Sequence, residues 1–166
     1  MDDTLIKTFS FEEVQCMPES APSFDFAICF MNHAFDLEHR AVYKRRGLDR
    51  FLVEVSRVFE VCLFTAADRD YAEAIVDHID PHRTVFQHVI CREDCTQRKE
   101  GGLVKELRRI KGRAPEKVLL VDDNTENIRE NEGRAFRIPP FGQSLGGDNE
   151  LNDILAELKN YAGVSN

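Results

Sequence analysis

The chain has no tryptophan and, in 166 residues, only nine glycines and six prolines. That scarcity excludes the collagen-like and low-complexity classes. No apolar stretch approaches the roughly 20 residues that cross a bilayer. The first residues also lack the basic and apolar regions of a secretory leader: Asp2 and Asp3 stand where positive charge would be. The expectation is a soluble intracellular protein. The five cysteines, Cys16, Cys29, Cys62, Cys91 and Cys95, are odd in number and include no CxxC pair. This argues against a disulfide framework and suits a reducing compartment. His88, Cys91 and Cys95 match no zinc spacing and have no second ligand pair, so they read as packing residues. Positive charge is in deficit too. A net charge of −8 lacks the footprint that direct nucleic-acid binding needs. An anionic ligand would therefore require a local basic patch. Lys44-Arg45-Arg46 and Arg92 to Lys99 supply two, each reading by itself as a solvated surface run.

What is present is a hydrophobic content of 42% with 31% charged residues, enough for one globular domain over 1–166. Phe24, Phe26, Ile28 and Phe30 alternate with other residues at strand spacing, and Arg40 to Tyr43 fits a returning partner, so a hairpin is expected near the N-terminus. Leu48, Phe51, Leu52, Val55 and Val58 recur at helical spacing. Val61 to Phe64 is a short all-apolar run, the mark of a parallel strand covered on both faces. Tyr71, Ala74, Ile75 and Ile79 predict a second helix that stops near Pro81. Val85 to Ile90 fits another strand. Leu103, Val104, Leu107 and Ile110 predict a third helix ending near Gly112, and Val118 to Val121 a second apolar strand. A final helix carries Leu151, Ile154, Leu155 and Leu158. Helices alternating with apolar strands indicate an α/β fold with a parallel sheet. Chemistry in such sheets collects beyond the carboxyl ends of the strands, which here read Thr65 and Asp122-Asp123. Helix capping is the plainer role for those residues.

Four segments line up in order: Asp2-Asp3-Thr4-Leu5, Phe64-Thr65-Ala66, Lys105, and Val121-Asp122-Asp123-Asn124. Tyr43 to Leu52, Phe59 to Ala66, Tyr71-Ala72, Ile79-Asp80-Pro81, Cys91 to Cys95 and Asp148 to Leu151 extend the pattern. Together they resemble the small C-terminal-domain (CTD) phosphatases, also called NLI-interacting-factor-like phosphatases, of the haloacid dehalogenase superfamily. The resemblance covers nearly the whole chain. It implies a haloacid-dehalogenase-like Rossmannoid parallel sheet with an inserted β-hairpin. It also implies Mg2+-dependent hydrolysis of phosphoserine or phosphothreonine in a phosphoprotein through an aspartyl phosphate. The RNA polymerase II C-terminal domain is one substrate it offers, no membrane contact is expected of this chain, and the compartment is nuclear or cytoplasmic. Arg46 departs from the family's proline, and the segment from Phe9 to Val42 matches only in hairpin character.

By the same resemblance, Asp2 is the general acid and base, and its carbonyl joins Asp122 and Asp123 at the metal. Thr4 holds the motif loop, Thr65 donates to a phosphate oxygen, and Lys105 neutralises the transferring phosphoryl group. Arg92 contacts the phosphopeptide. Magnesium suits carboxylate, carbonyl and water oxygens. Taken singly, Lys105 could be a snorkelling lysine and Thr65 an N-cap. A response-regulator receiver fails on order, because Lys105 precedes the acidic pair. The family's nucleophilic aspartate stands two residues before Asp2, hence directly before Met1. The expectation is that the upstream reading frame encodes a short apolar strand ending in aspartate, and that without it the fold is marginal, with two unpaired strand edges. The alternative is a noncatalytic member of the family, a pseudophosphatase scaffold or a mitochondrial import receptor-like protein with an upstream targeting segment.

Overall fold

The computed structural model describes residues 1–142, 145 and 147–164. Alternating apolar residues near the start build a three-stranded antiparallel sheet in the order β1-β3-β2, from β1 (Ile6–Phe9), β2 (Phe26–Met31) and β3 (Leu37–Lys44). Ile6 faces Lys44 and Phe26 faces Val42 across it. The turn between β2 and β3 is folded locally: the Asn32 side-chain oxygen accepts from the Ala34 and Asp36 amides, both at 2.9 Å. One short helix, α1 (Phe11–Gln15), sits between β1 and β2, where no element was expected. Ser10 and Glu13 close a capping box at its start.

From Gly47, whose φ of 82° is cheap only for glycine, the chain enters α2 (Leu48–Ser56). This helix buries Leu48, Phe51, Leu52 and Val55, the residues its 3.6-residue period selects. Its partner α5 (Glu150–Tyr161) buries Leu151, Ile154, Leu155 and Leu158, and the two helices pack together. Each such side chain contributes about 1.5–3 kcal/mol by leaving water. Between them in sequence come β4 (Val61–Phe64), α3 (Arg69–Ile79) and β5 (Phe86–Ile90), with β4 and β5 parallel. Asp80 manages the exit from α3. Its carboxylate accepts the amides of Thr84, Val85 and Phe86, each at 2.9 Å, and so fixes where β5 begins. A 3₁₀ turn (Arg92–Asp94) and a small hairpin of β6 (Thr96–Gln97) and β7 (Leu103–Val104) follow. Then β8 (Leu120–Asp122), α4 (Thr125–Glu130) and β9 (Ala135–Arg137) form a second parallel unit. The architecture is α/β with parallel strand pairs, and the β2–β3 hairpin is inserted early.

Although β4 and β8 belong to separate two-stranded sheets, both line one slot of about 280 Å³. Its walls include Val61, Leu63, Leu120 and Val121, with Met1 and Leu5.

Three expectations are corrected. Residues Leu103 to Ile110 are not an α-helix but strand β7 followed by a 3₁₀ turn (Leu107–Arg109). The reason is competition for backbone donors. The amides of Lys105 and Leu107 go to the side chains of Asn127 and Asn131 at 3.0 and 2.9 Å, so they are lost to a helical ladder. Second, the strand expected from Val118 begins at Leu120, because Pro115–Lys117 forms a 3₁₀ turn just before it. Third, Arg45 is no surface residue: its side chain is fully buried.

Candidate active site

The first residues form a tight loop. Met1 O accepts from the amides of Thr4, Leu5 and Ile6 at 3.3, 2.8 and 3.3 Å, and Asp3 takes a positive φ of 57°. Buried Arg45 clamps this loop. Its Nη1 donates to Thr4 O at 3.0 Å, its Nε lies 2.9 Å from Asp148 Oδ2, and its guanidinium sits 5.6 Å from the Phe141 ring centre. A buried guanidinium needs such a partner set. From the clamped loop, Thr4 Oγ1 donates to Asp123 Oδ1 at 2.6 Å, so the motif start is tied to the acidic pair after β8.

Lys105 and Asp122 meet directly, Nζ to Oδ2, at 2.6 Å, and both are buried. Lys105 therefore does not snorkel. Asp122 Oδ1 accepts the Asn124 amide at 2.9 Å and Asn127 Nδ2 at 3.0 Å, so Asn124, not Asp122, caps α4. Burial by itself would raise the Asp122 carboxyl. The Lys105 charge and these hydrogen bonds outweigh it and hold the group below its usual range. Asn131 completes the support by donating to Lys105 O at 2.7 Å.

Thr65 ends β4, buried. Its amide donates to Ile90 O at 2.9 Å, and its Oγ1 accepts the Ala67 amide at 3.1 Å. The hydroxyl proton is thus left to donate, while Asp68 takes the cap position of α3. Cys95 lies between Thr65 and Lys105: its Sγ donates to Thr65 O at 3.7 Å, and its thiol, pushed up by burial, feels the ammonium in the opposite sense.

Asp2 is held by Tyr71, whose phenol donates to Asp2 Oδ1 and lies 3.1 Å from Thr8 Oγ1. Burial and the Asp2 charge push the Tyr71 phenol far above its ordinary value, so it stays a neutral donor. Arg92 stands apart and half-exposed. Its Nη1 donates to Ala66 O at 3.1 Å and its Nε lies 3.8 Å from Asp68 Oδ1. The structure thus gathers Lys105 with Asp122, Asp123 with Thr4, and Thr65 at the neighbouring strand end, and sets Arg92 beside the Thr65 loop. Reading the sequence left out Tyr71, Arg45, Asn127 and Asn131 as site residues. Asn127 and Asn131, four apart after an acidic pair, were the one visible signal.

For a divalent cation, the donors fit in kind. Asp123 keeps one carboxylate oxygen clear of Thr4, and the Asp2 carbonyl and water are equally hard ligands. Among the described residues no three acidic, histidine or cysteine side chains gather as a metal cluster. Magnesium does not need one, because it keeps several waters and uses one or two carboxylates with substrate phosphate.

The chain is similar to known proteins. "CTD small phosphatase-like protein 1" of Caenorhabditis elegans is 35% identical over 130 residues, 78% of this chain and 26% of that protein. The tim50 subunit of the mitochondrial import inner membrane translocase of Neurospora crassa is 28% identical over 80% of this chain and 25% of its own length. The chain thus spans about a quarter of either relative. Among solved structures, the fission yeast RNA polymerase II CTD phosphatase Fcp1 bound to beryllium fluoride superposes with a TM-score of 0.71. It is 21% identical, over 98% of this chain and 48% of that one. The family model described as NLI interacting factor-like phosphatase matches residues 1–166, and the chain belongs to that family.

Proposed function

We propose that this domain is the body of a magnesium-dependent phosphoprotein phosphatase that works through an aspartyl phosphate, with the aspartate supplied directly before Met1. The observation that carries the reading is the buried Lys105–Asp122 pair at the strand ends with Met1 beside it. Met1 is buried and lines the slot between β4 and β8. A carboxylate attached there would meet the lysine ammonium. The slot between β4 and β8 supports the same reading. It is apolar, both walls are strand edges, and edges of that kind leave backbone donors and acceptors to be paired. A strand of about five apolar residues would suit it.

In this mechanism Thr65 donates its hydroxyl to one phosphate oxygen and Lys105 neutralises the nucleophile and the transferring group. Asp2, oriented by Tyr71, gives a proton to the leaving seryl or threonyl oxygen and later takes one from the attacking water. Asp123 and the Asp2 carbonyl would hold magnesium, with the Asp122 carboxylate adding negative charge at the site; the ion when bound offsets the charge of the phosphoryl oxygens. Arg92 would reach the phosphopeptide. The polymerase C-terminal domain enters as a substrate through the Fcp1 likeness, and a nuclear site would follow from it. The second reading is a noncatalytic binding protein on the same fold. It is favoured by the likeness to the tim50 subunit of the import translocase.

The test is to express the protein extended upstream as its reading frame encodes, beside residues 1–166, and assay aryl phosphate hydrolysis with magnesium. The extended protein should turn over and residues 1–166 should not. A folded, inactive extended protein would favour the binding protein.

A further inference from the structure

We propose that Asp68 selects phosphopeptides carrying a lysine or arginine next to the phosphorylated residue. The inference rests on Thr65 and Arg92 being the phosphate side of the site, and it adds a preference that catalysis does not require. Asp68 closes the loop that starts at Thr65, at the head of α3, where its side chain makes no capping hydrogen bond. Two nitrogen groups from distant parts of the chain converge on its Oδ1: the His33 imidazole Nε2 of the β2–β3 turn at 2.6 Å and the Arg92 guanidinium Nε at 3.8 Å. Despite that proximity, Oδ1 is buried and no donor among the described residues is aligned on it. A carboxylate oxygen in that condition is a standing acceptor.

Arg92 meanwhile donates to Ala66 O, so its guanidinium lies over the same loop as Thr65. An arriving phosphate dianion competes with Asp68 for that guanidinium and, with the greater charge, draws it away. Asp68 then loses a cation and keeps an acceptor without a donor. A basic side chain beside the phosphoresidue fills the vacancy, and an acidic one meets repulsion. The imidazole of His33 is 75% exposed, so the face next to Asp68 is open to a peptide. The net charge of −8 favours the same sign of flanking residue during encounter.

The experiment uses residues 1–166 and fluorescence anisotropy with phosphoserine peptides that differ only in lysine or glutamine beside the phosphoserine, on either side, plus their unphosphorylated counterparts. The lysine phosphopeptide should bind about fivefold more tightly, the worth of one exposed ion pair. Raised salt should shrink that ratio. Asp68→Asn, which keeps a good capping residue at the head of α3, should erase the preference while phosphate-dependent binding persists. Arg92→Ala should weaken both phosphopeptides and leave the lysine preference in place. Equal affinity of wild type for the two phosphopeptides, or a preference that survives Asp68→Asn, overturns the proposal. If phosphorylated and unphosphorylated peptides bind alike, the phosphate-site reading falls and this inference with it.

Discussion

Replacing Lys105 by methionine removes one charge from a pair that is almost fully enclosed. Side-chain exposure is 8% for Lys105 and 2% for Asp122. Methionine fills much of the lysine stem's volume, so the loss falls on Asp122 Oδ2, whose partner at 2.6 Å is gone. Oδ1 retains the Asn124 amide and Asn127. Breaking a buried pair by deleting one partner costs about 3–5 kcal/mol, a large share of the 5–15 kcal/mol that typical domains possess. The pH dependence fixes the sign. In the wild type Asp122 sits below its ordinary value, so its stabilisation is complete above that value and is lost as pH falls through the folded one. In Lys105→Met burial acts on Asp122 without the ammonium and raises it, so the variant regains stability as the carboxyl protonates. The gap between the two proteins should therefore be widest near about pH 7 and narrow toward about pH 4. Urea unfolding across that range measures it. The double variant Lys105→Met, Asp122→Asn should recover part of the loss at neutral pH. A deficit below about 1 kcal/mol that ignores pH would mean that Lys105 reaches solvent and that the pair is incidental.

Asp80→Ala should cost about 3 kcal/mol or more in urea unfolding, since three amides lose a charged acceptor, whereas Asp80→Asn should cost less. In the upstream-extended protein, Asp123→Ala should abolish turnover while Asp123→Asn keeps some, because an amide oxygen still coordinates; full activity in the alanine variant would remove Asp123 from the metal site. Arg92→Ala in the same protein should slow phosphopeptide hydrolysis more than aryl phosphate hydrolysis, and an equal loss on both would mark Arg92 as structural.

Periodicity revealed the helices that bury one face, α2, α3 and α5, because burial follows the 3.6-residue repeat. It also revealed β4 and β5, although β4, expected to be covered on both faces, leaves Cys62 exposed. It failed between Leu103 and Ile110, where apolar residues recur at helical spacing although Asn127 and Asn131 have taken the backbone amides. No local window holds that information, since the asparagines lie more than 20 residues away. Arg45 was hidden for a similar reason. In the run Lys44-Arg45-Arg46 the three look alike, and only the distant Asp148 and Thr4 carbonyl make one of them a buried clamp. Thr65 and Asp122-Asp123 were read at strand ends and Lys105 within a helix, and the fold sets Lys105 directly on Asp122. Tyr71 was legible as part of a helix and of the family pattern but not as a partner of Asp2, because Asp2 and Thr8 lie 69 and 63 residues away.

The most direct measurement is mass spectrometry of the upstream-extended protein, acid-quenched during turnover of an aryl phosphate with magnesium. The account predicts one phosphoryl group, labile to hydroxylamine, on the peptide that ends at Met1, at the aspartate directly before it, and an increase in its occupancy when Asp2→Asn slows the water step. Turnover without a phosphoryl group on that peptide, or with one on Asp2, Asp122 or Asp123 instead, would contradict it.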